Sequence, residues 1–406
     1  MKKRIMRWSF VFIVTVLFLT GVFSAHSLAK ERIIIGQAAS LSGPLAPSHG
    51  FVSAPYYDYW VKVVNASGGI YVKEYGKKLP VELLIYDDKS DIGTMTRLLE
   101  KLIMEEKVDF LLPPWGTAMH FAAAPIANKH EYILIGGAAG AMKLKDFGAS
   151  LPYYFQTLNF AETQVPVLVD ILDELGVKKV AVICHDDLHG AENAEAALPA
   201  FAERGIDVVL KKSYPMGAKD LSPQLKQAKS LNADAFIGFS YPDEVMLVTG
   251  QAISLGMDFK VFGFTVGPAF TFYTGAFGPA AEGVIGGGAW NEKSSPKAKE
   301  FSEDFKKVMG QDMGNYWGAL TWYSALQHFQ QCIEKAGTLN QKKIRDIMAT
   351  ETFDTALGPF RYDERRIFVD HPGNWGQWQK GVFEVIDPGS KRTAAPILKP
   401  AWPKKQ

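Results

Sequence analysis

The sequence predicts an α/β protein of two lobes, each built around its own parallel-type sheet. Three observations carry this. Short apolar runs rich in β-branched and aromatic residues alternate with segments of helical spacing. That alternation occurs twice in one chain, and 406 residues with 47% apolar content exceed what a single core usually fills.

In the first series the strand candidates are "RIIIGQAAS", "PVELLIYDD", "VDFLLPP" and "EYILIGG". Between them lie helical segments such as "GTMTRLLEKLIMEE", and strand–helix alternation of this kind makes a parallel sheet. The segment "LPYYFQTLNFAETQ" is extended and aromatic, and is expected to cross to the second lobe. The second series runs through "KKVAVICH", "IDVVLKKSY", "ADAFIGFS" and "FKVFGFTV", with helices in "AENAEAALPAFAERG", "LSPQLKQAKSL" and "PDEVMLVTGQAISLG". Beyond "GVIGGGAW" the pattern turns helical. Ser295 before Pro296 marks a helix start, because serine caps free N–H groups and proline is tolerated at the first position. Helices are expected from about Asn315 to Ala336 and from about Asn340, followed by strands in "ALGPFRYDERRIF" and "GVFEVIDP" and a surface strap in "PILKPAWPKKQ".

The N-terminus has its own logic. "MKKRIMR" carries four positive charges, "WSFVFIVTVLFLTGVF" is an apolar run of sixteen residues, and Ser27 and Ala29 are small residues before Lys30. Residues 1–29 read as a secretory signal peptide cleaved after Ala29. The rival reading, an uncleaved anchor, needs about 20 apolar residues. No cysteine adjoins the cut to take a lipid, so the mature chain is expected to be soluble, exported and not inserted in the membrane. A net charge of +1 without a basic run provides no footprint for nucleic acid. Cys184 and Cys332 both read as small core residues; a bridge is permitted in an exported protein, but spacing does not establish one.

Ligands of open parallel sheets gather at the carboxyl ends of the strands, where helix N-termini present free N–H groups. The loops there are "SLSGPLAPSHG", "PPWGTAM", "GGAAGAM", "CHDDLHG", "FSYPDE" and "FTVGPAFTFY". They offer small residues, hydroxyls and aromatics. Thr117, at a helix start after a strand, suits a carboxylate, although the same position is explained by helix capping alone. No nucleophile elbow, zinc-protease motif, phosphate loop or dinucleotide fingerprint is present. The pairs Asp87–Asp88 and Asp186–Asp187 read as capping or solvated acids, since no base or nucleophile is spaced with them. The four-residue spacing of His185 and His189 suggests a metal pair only on a helix; a loop running from His185 to Gly190 removes that geometry, and no metal or cofactor is expected.

The order of "IIIGQAASLSGPLA", "VNASGGI", "VELLIYDDKSD", "AAAPIANKH", "YPDEVMLVTGQAISLGM", "GPAAEGVIGGG" and "GPFRYDE" resembles the type I periplasmic binding proteins of branched-chain amino-acid and amide ABC transporters. The resemblance spans nearly the whole mature chain. It implies two Rossmann-like lobes joined by three crossings, here near Phe155–Thr157, Gly283–Trp290 and Gly358–Tyr362. Lobe 1 would hold residues 30–156 and 289–357, and lobe 2 residues 157–288 and 358–406. The lobes would close on a small-molecule ligand and dock on a membrane permease.

Carried over by position, the family's glycine–proline loop matches Ser42, Gly43 and Pro44. Its carboxylate-binding helix start matches Thr117 with Trp115, Gly116 and Ala118 beside it, and its Ala-Thr loop matches Ala138 and Ala139, without the hydroxyl. In the second lobe His189 stands where the family often has an aromatic, Tyr241 is kept, and the acid that neutralises an α-ammonium aligns with Thr265. A buried ammonium without a carboxylate costs several kcal/mol, which argues against an ordinary α-amino acid unless Asp186, Asp187 or Glu244 substitutes. Tyr316 and other aromatics are candidate walls, so the favoured ligand carries a carboxylate or amide on an apolar or aromatic body. Two other readings remain at this level: a sensor subunit for a signalling partner, and an exported amidase or metal hydrolase.

Overall fold

The computed structural model describes residues 30–403 apart from Ala289; the expected signal peptide lies outside the described residues. The chain begins with β1 (Ile33–Ala39), α1 (Ala46–Val52), α2 (Ala54–Ala66), a hairpin of β2 (Ile70–Val72) and β3 (Lys77–Leu79), β4 (Val81–Asp87), α3 (Ile92–Met104), β5 (Phe110–Leu111), α4 (Thr117–Lys129), β6 (Leu134–Gly136), α5 (Phe147–Ser150) and β7 (Tyr154–Gln156). It continues with α6 (Ala161–Glu174), β8 (Lys179–His185), α7 (Leu188–Glu203), β9 (Asp207–Tyr214), α8 (Ser222–Ser230), β10 (Ala235–Phe239), α9 (Pro242–Ser254), β11 (Val261–Phe264), α10 (Thr271–Phe277) and β12 (Ile285–Gly287). Then come α11 (Pro296–Met309), α12 (Ala319–Ala336), α13 (Gln341–Met348), the hairpin β13 (Phe353–Thr355) and β14 (Gly358–Phe360), and the hairpin β15 (Trp375–Gln379) and β16 (Val382–Val385).

Two separate sheets organise these elements. One has the order β4-β1-β5, all parallel, with β6 and β7 forming a further parallel pair. The other has seven strands in the order β16-β15-β12-β11-β10-β8-β9, parallel except for the β15–β16 hairpin on its flank. From Val180 to His185 β8 is buried at every position, as a central parallel strand covered on both faces requires. Its continuous apolar run is what made it legible. The chain leaves the first lobe after β7 and enters the seven-stranded sheet at β8, and after β12 it returns: α11 and α12 both pack on α2.

The third passage differs from the expectation. Gly358–Phe360 pairs with Phe353–Thr355 and packs on α12, so this stretch stays with the first lobe, and the seven-stranded sheet is re-entered only at Trp375. Phe360 is held there by His328, Tyr362 and Phe368.

Local signals at helix ends held in part. Ser295 caps α11 by accepting the Ala298 N–H at 3.0 Å, and Asn340 caps α13 through the Lys343 N–H at 3.0 Å. Replacing Ser295 with alanine is expected to cost about 1 kcal/mol, read from urea unfolding curves of the two proteins; an unchanged midpoint would remove the capping role. The long aromatic helix starts at Ala319 rather than Asn315, because the Asn315 Oδ1 accepts the N–H groups of Trp317 and Gly318 and holds them in a turn. The C-terminal strap has no regular structure but is anchored, with Trp402 edge-on to Phe262 at 5.5 Å and Lys399 paired with Asp258 at 3.2 Å. Cys184 and Cys332 are free and buried, one on β8 and one on α12.

Candidate functional site

The carboxyl ends of the two sheets meet in a buried group drawn from both lobes. From the first lobe come Trp115 and Thr117, at the turn between β5 and α4. Gly116 is the N-cap of α4 with φ +97°, and no side chain caps the helix. Thr117 is therefore the first helical residue and not the cap, and the first-turn N–H groups of a 13-residue helix are left to other partners. Both Trp115 and Thr117 are buried.

Facing them is Tyr241, at the turn between β10 and α9. Its ring meets the Trp115 ring edge-on, with centroids 5.1 Å apart, and its hydroxyl neighbours that of Thr117. Tyr241 donates to the Asp187 Oδ2 at 2.9 Å. Burial, reinforced by the Asp187 charge, raises its pKa well above the ordinary value, so it stays a donor.

Two histidines brace this tyrosine. His189 stacks on it at 5.1 Å with 14° between the planes, and His185 meets it edge-on at 4.6 Å. The expected loop from His185 to Gly190 is only two residues long: His185 ends β8 and His189 lies in the first turn of α7. The two rings therefore flank Tyr241 from a strand and a helix, and the spacing of a metal pair is absent. Among the described residues no cluster of His, Cys, Asp and Glu is placed to hold a metal ion.

The hydrogen bonds set the state of His189. Asn193 Nδ2 lies 3.2 Å from its Nδ1, and a donor there makes Nδ1 the acceptor, so Nε2 carries the proton and gives it to Thr265 Oγ1 at 3.2 Å. Burial holds the imidazole down to about pKa 4, hence neutral. Thr265 also accepts the Ser240 N–H at 3.0 Å and donates to the Ser240 carbonyl at 3.1 Å. Its hydroxyl is fully used inside the second lobe, tying β10 to β11.

The acids are committed as well. Asp187 caps α7 through the Gly190 N–H at 2.8 Å while accepting from Tyr241. Glu244 contacts the His185 Nε2 at 3.1 Å and accepts the Gly217 N–H at 2.8 Å. Burial raises the Glu244 pKa, but the His185 bond and charge, with the Gly217 N–H, outweigh it and leave the carboxyl below its ordinary value. Asp186 is exposed.

Other positions carried over from the sequence lie elsewhere. Ser42 is exposed and donates to the Asp87 Oδ2 at 2.7 Å, outside the buried group. Ala139 is buried with Leu144 and Phe160, its carbonyl taken by Gln156 Nε2; Ala138 is buried in the first lobe, and Ala118 is half-buried beside Thr117. Tyr316 stacks on Phe383 and adjoins Trp290 and Trp378, beside the chain's passage between the lobes. Sequence reasoning assigned no place in the site to Asn193, and it considered Glu244 as a substitute acid but not as the partner of His185. It named His49 only as a member of its loop, where the structure buries it on α1 with Nδ1 unpartnered among the described residues. The α1 helix packs against α9, which Tyr241 begins.

The chain is similar to several known proteins. A family model described as periplasmic binding protein matches residues 32–382. The leucine-, isoleucine-, valine-, threonine- and alanine-binding protein of Pseudomonas aeruginosa is 25% identical over 359 residues, covering 88% of this chain and 93% of its own. Two solved structures share the fold. One is the branched-chain amino acid transporter substrate-binding protein LivJ of Streptococcus pneumoniae in complex with isoleucine, with a TM-score of 0.75, 20% identity, and 91% and 100% of the two chains covered. The other is an ABC transporter solute-binding protein of Rhodopseudomonas palustris in complex with benzoate, with a TM-score of 0.75, 18% identity, and 91% and 98% covered.

Proposed function

The chain belongs to the periplasmic binding protein family, and on that premise we propose that it is an extracytoplasmic solute-binding protein delivering a small carboxylate- or amide-bearing ligand to an ABC transporter permease. The family consists of solute-binding proteins, and the periplasm is its compartment. Residues 1–29 act as the signal peptide in this reading, and the released chain works free of the bilayer; among the described residues no helix is long and apolar enough to cross a membrane.

One observation carries the reading: the uncapped start of α4 with Thr117 and Trp115 on one lobe is met by Tyr241 and His189 on the other. A ligand held by both sets is bound fully only when the lobes are together, and that difference in affinity is what drives closure. Gly116 and Ala118 flank Thr117 at this surface, whereas Ala138 and Ala139 pack away from it. Tyr316 supports the passage between the lobes, and Ser42 and Thr265 support their own loops.

The ligand class follows from the acids. The isoleucine and benzoate held by the two structural relatives share a carboxylate, and only isoleucine adds an ammonium. Here Asp187 and Glu244 are both occupied by protein donors and Thr265 brings no charge. An aromatic or aliphatic acid therefore suits the site better than an α-amino acid.

A thermal-shift panel of benzoate, 4-hydroxybenzoate, 3,4-dihydroxybenzoate, 4-methylpentanoate, isoleucine and simple amides tests this. A ligand at 100 times its Kd adds about 2.7 kcal/mol to the folded state. Simple acids are expected to raise the melting temperature most. Isoleucine giving the largest shift would overturn the ligand class, and hydrolysis of the amides, abolished by His185→Ala, would overturn the binding reading itself.

A further inference from the structure

Resting on the solute-binding reading, we propose that Trp115 is a specificity-determining residue: its indole N–H donates to an acceptor oxygen of the ligand, and the site takes a monocarboxylate held by neutral donors alone. Trp115 is 1% exposed and its Nε1 has no hydrogen-bond partner among the described residues. An indole nitrogen only donates, and an unpaired buried donor is costly, so a group that supplies an acceptor gains what the empty protein lacks.

Two other tryptophans, Trp60 and Trp290, also have an Nε1 without a partner among the described residues, but their settings differ. Trp60 lies within α2 in the first-lobe core, and Trp290 packs on Phe301 and Tyr316. Trp115 stands two residues before an uncapped helix start and touches the opposing lobe through Tyr241. Thr117 neighbours the Tyr241 hydroxyl and begins a helix whose first-turn N–H groups no side chain caps, so donors of the first lobe gather beside the unpartnered Trp115 N–H.

Charge narrows the ligand further. No Lys or Arg is among the residues gathered here, and burial keeps His189 neutral. Asp187 and Glu244 are acidic neighbours already accepting hydrogen bonds within the second lobe, from Tyr241 and from the Gly217 N–H. Neutral donors and a helix N-terminus satisfy one carboxylate, whereas a second carboxylate would meet existing negative charge without a cation to balance it. Monocarboxylates are thus selected over dicarboxylates of the same size.

The experiment uses full-length mature protein labelled with ¹⁵N at the tryptophan indoles. The probes are benzoate, 4-hydroxybenzoate, 4-methylpentanoate and isoleucine, with phthalate as the dicarboxylate. The Trp115 resonance is assigned as the one missing from Trp115→Phe, whose folding is checked by its unliganded melting temperature. With a bound monocarboxylate, that resonance is expected to move downfield and become protected from solvent exchange, and Trp115→Phe is expected to bind the same probe at least tenfold more weakly. Phthalate is expected to leave both proteins unchanged. A wild-type protein that binds a monocarboxylate while the resonance stays put overturns the proposal on its own, as does phthalate binding equal to benzoate. If Trp115→Phe fails to fold, the wild-type assignment is made instead with Trp115→Tyr and the same resonance decides. Binding of amides alone would overturn the monocarboxylate assignment and leave the solute-binding reading standing. No binding of any probe or amide would overturn both.

Discussion

Lowering the pH from 7 to 5.5 is expected to remove on the order of 4 kcal/mol of folding stability in the absence of ligand. The figure comes from His49, His120 and His328, all buried and each held down to about pKa 4 chiefly by burial. Their unfolded value is 6.5. A histidine whose folded pKa is depressed takes up its proton first in the unfolded chain. Its stabilising share is complete above 6.5 and is lost as the pH falls from 6.5 towards 4. Near pH 5.5 unfolding should therefore take up close to three protons from these groups.

His189 and His371 are shifted in the same direction but are half-buried, so solvent screens them and they are left out of the figure. Asp88, Glu192 and Asp387, raised by burial, act in the opposite sense from the carboxylate end of the scale. Urea unfolding at pH 7.0, 6.5, 6.0 and 5.5 reads the slope directly. A flat profile across that range would mean that these imidazoles are not excluded from protonation in the folded state.

Gly190→Ala is expected to destabilise the protein by about 3 kcal/mol and to abolish ligand-induced thermal shifts. A Cβ at Gly190 would sit 2.2 Å from the His185 carbonyl oxygen and 2.6 Å from its nitrogen. These are backbone atoms of β8 and have no rotamer to yield, so the start of α7 must move. That turn carries Asp187, which holds Tyr241, and His189, which stacks on Tyr241 and bonds Thr265. One methyl group thus displaces the second lobe's whole contribution.

Helix propensity alone predicts the opposite sign, since alanine is favoured over glycine by about 1 kcal/mol within a helix. Gly250 within α9 is the control: nothing lies within 4 Å of its added Cβ, and Gly250→Ala is expected to be neutral or to stabilise by up to about 1 kcal/mol. Equal melting temperatures and equal ligand responses for the two variants would show that the close approach at Gly190 is relieved without displacing the site.

The strands of both sheets were readable because a parallel strand covered on both faces must be apolar at almost every position, as β8 and β10 are. Helix starts were readable where a capping side chain sits three residues before the N–H it accepts, as at Ser295 and Asn340. Both signals are local. The third passage between lobes was misplaced because Gly358–Phe360 looks like any short strand, and its partner and its packing on α12 are choices made by the folded core.

The site divides along the same line. By itself the sequence determined the two-sheet α/β architecture, the loops that reach the carboxyl ends of the strands, and Trp115, Thr117, His189 and Tyr241 as residues of those loops. It could not determine how those side chains spend their hydrogen bonds. Ser42 turns to Asp87 across 45 positions, Tyr241 to Asp187 across 54 and His189 to Thr265 across 76. Such distant groups compete for the same donors and acceptors only once the sheets have formed. Burial then makes each bond obligatory, and that competition left Thr265, Asp187 and Glu244 occupied and the Trp115 N–H without a partner among the described residues.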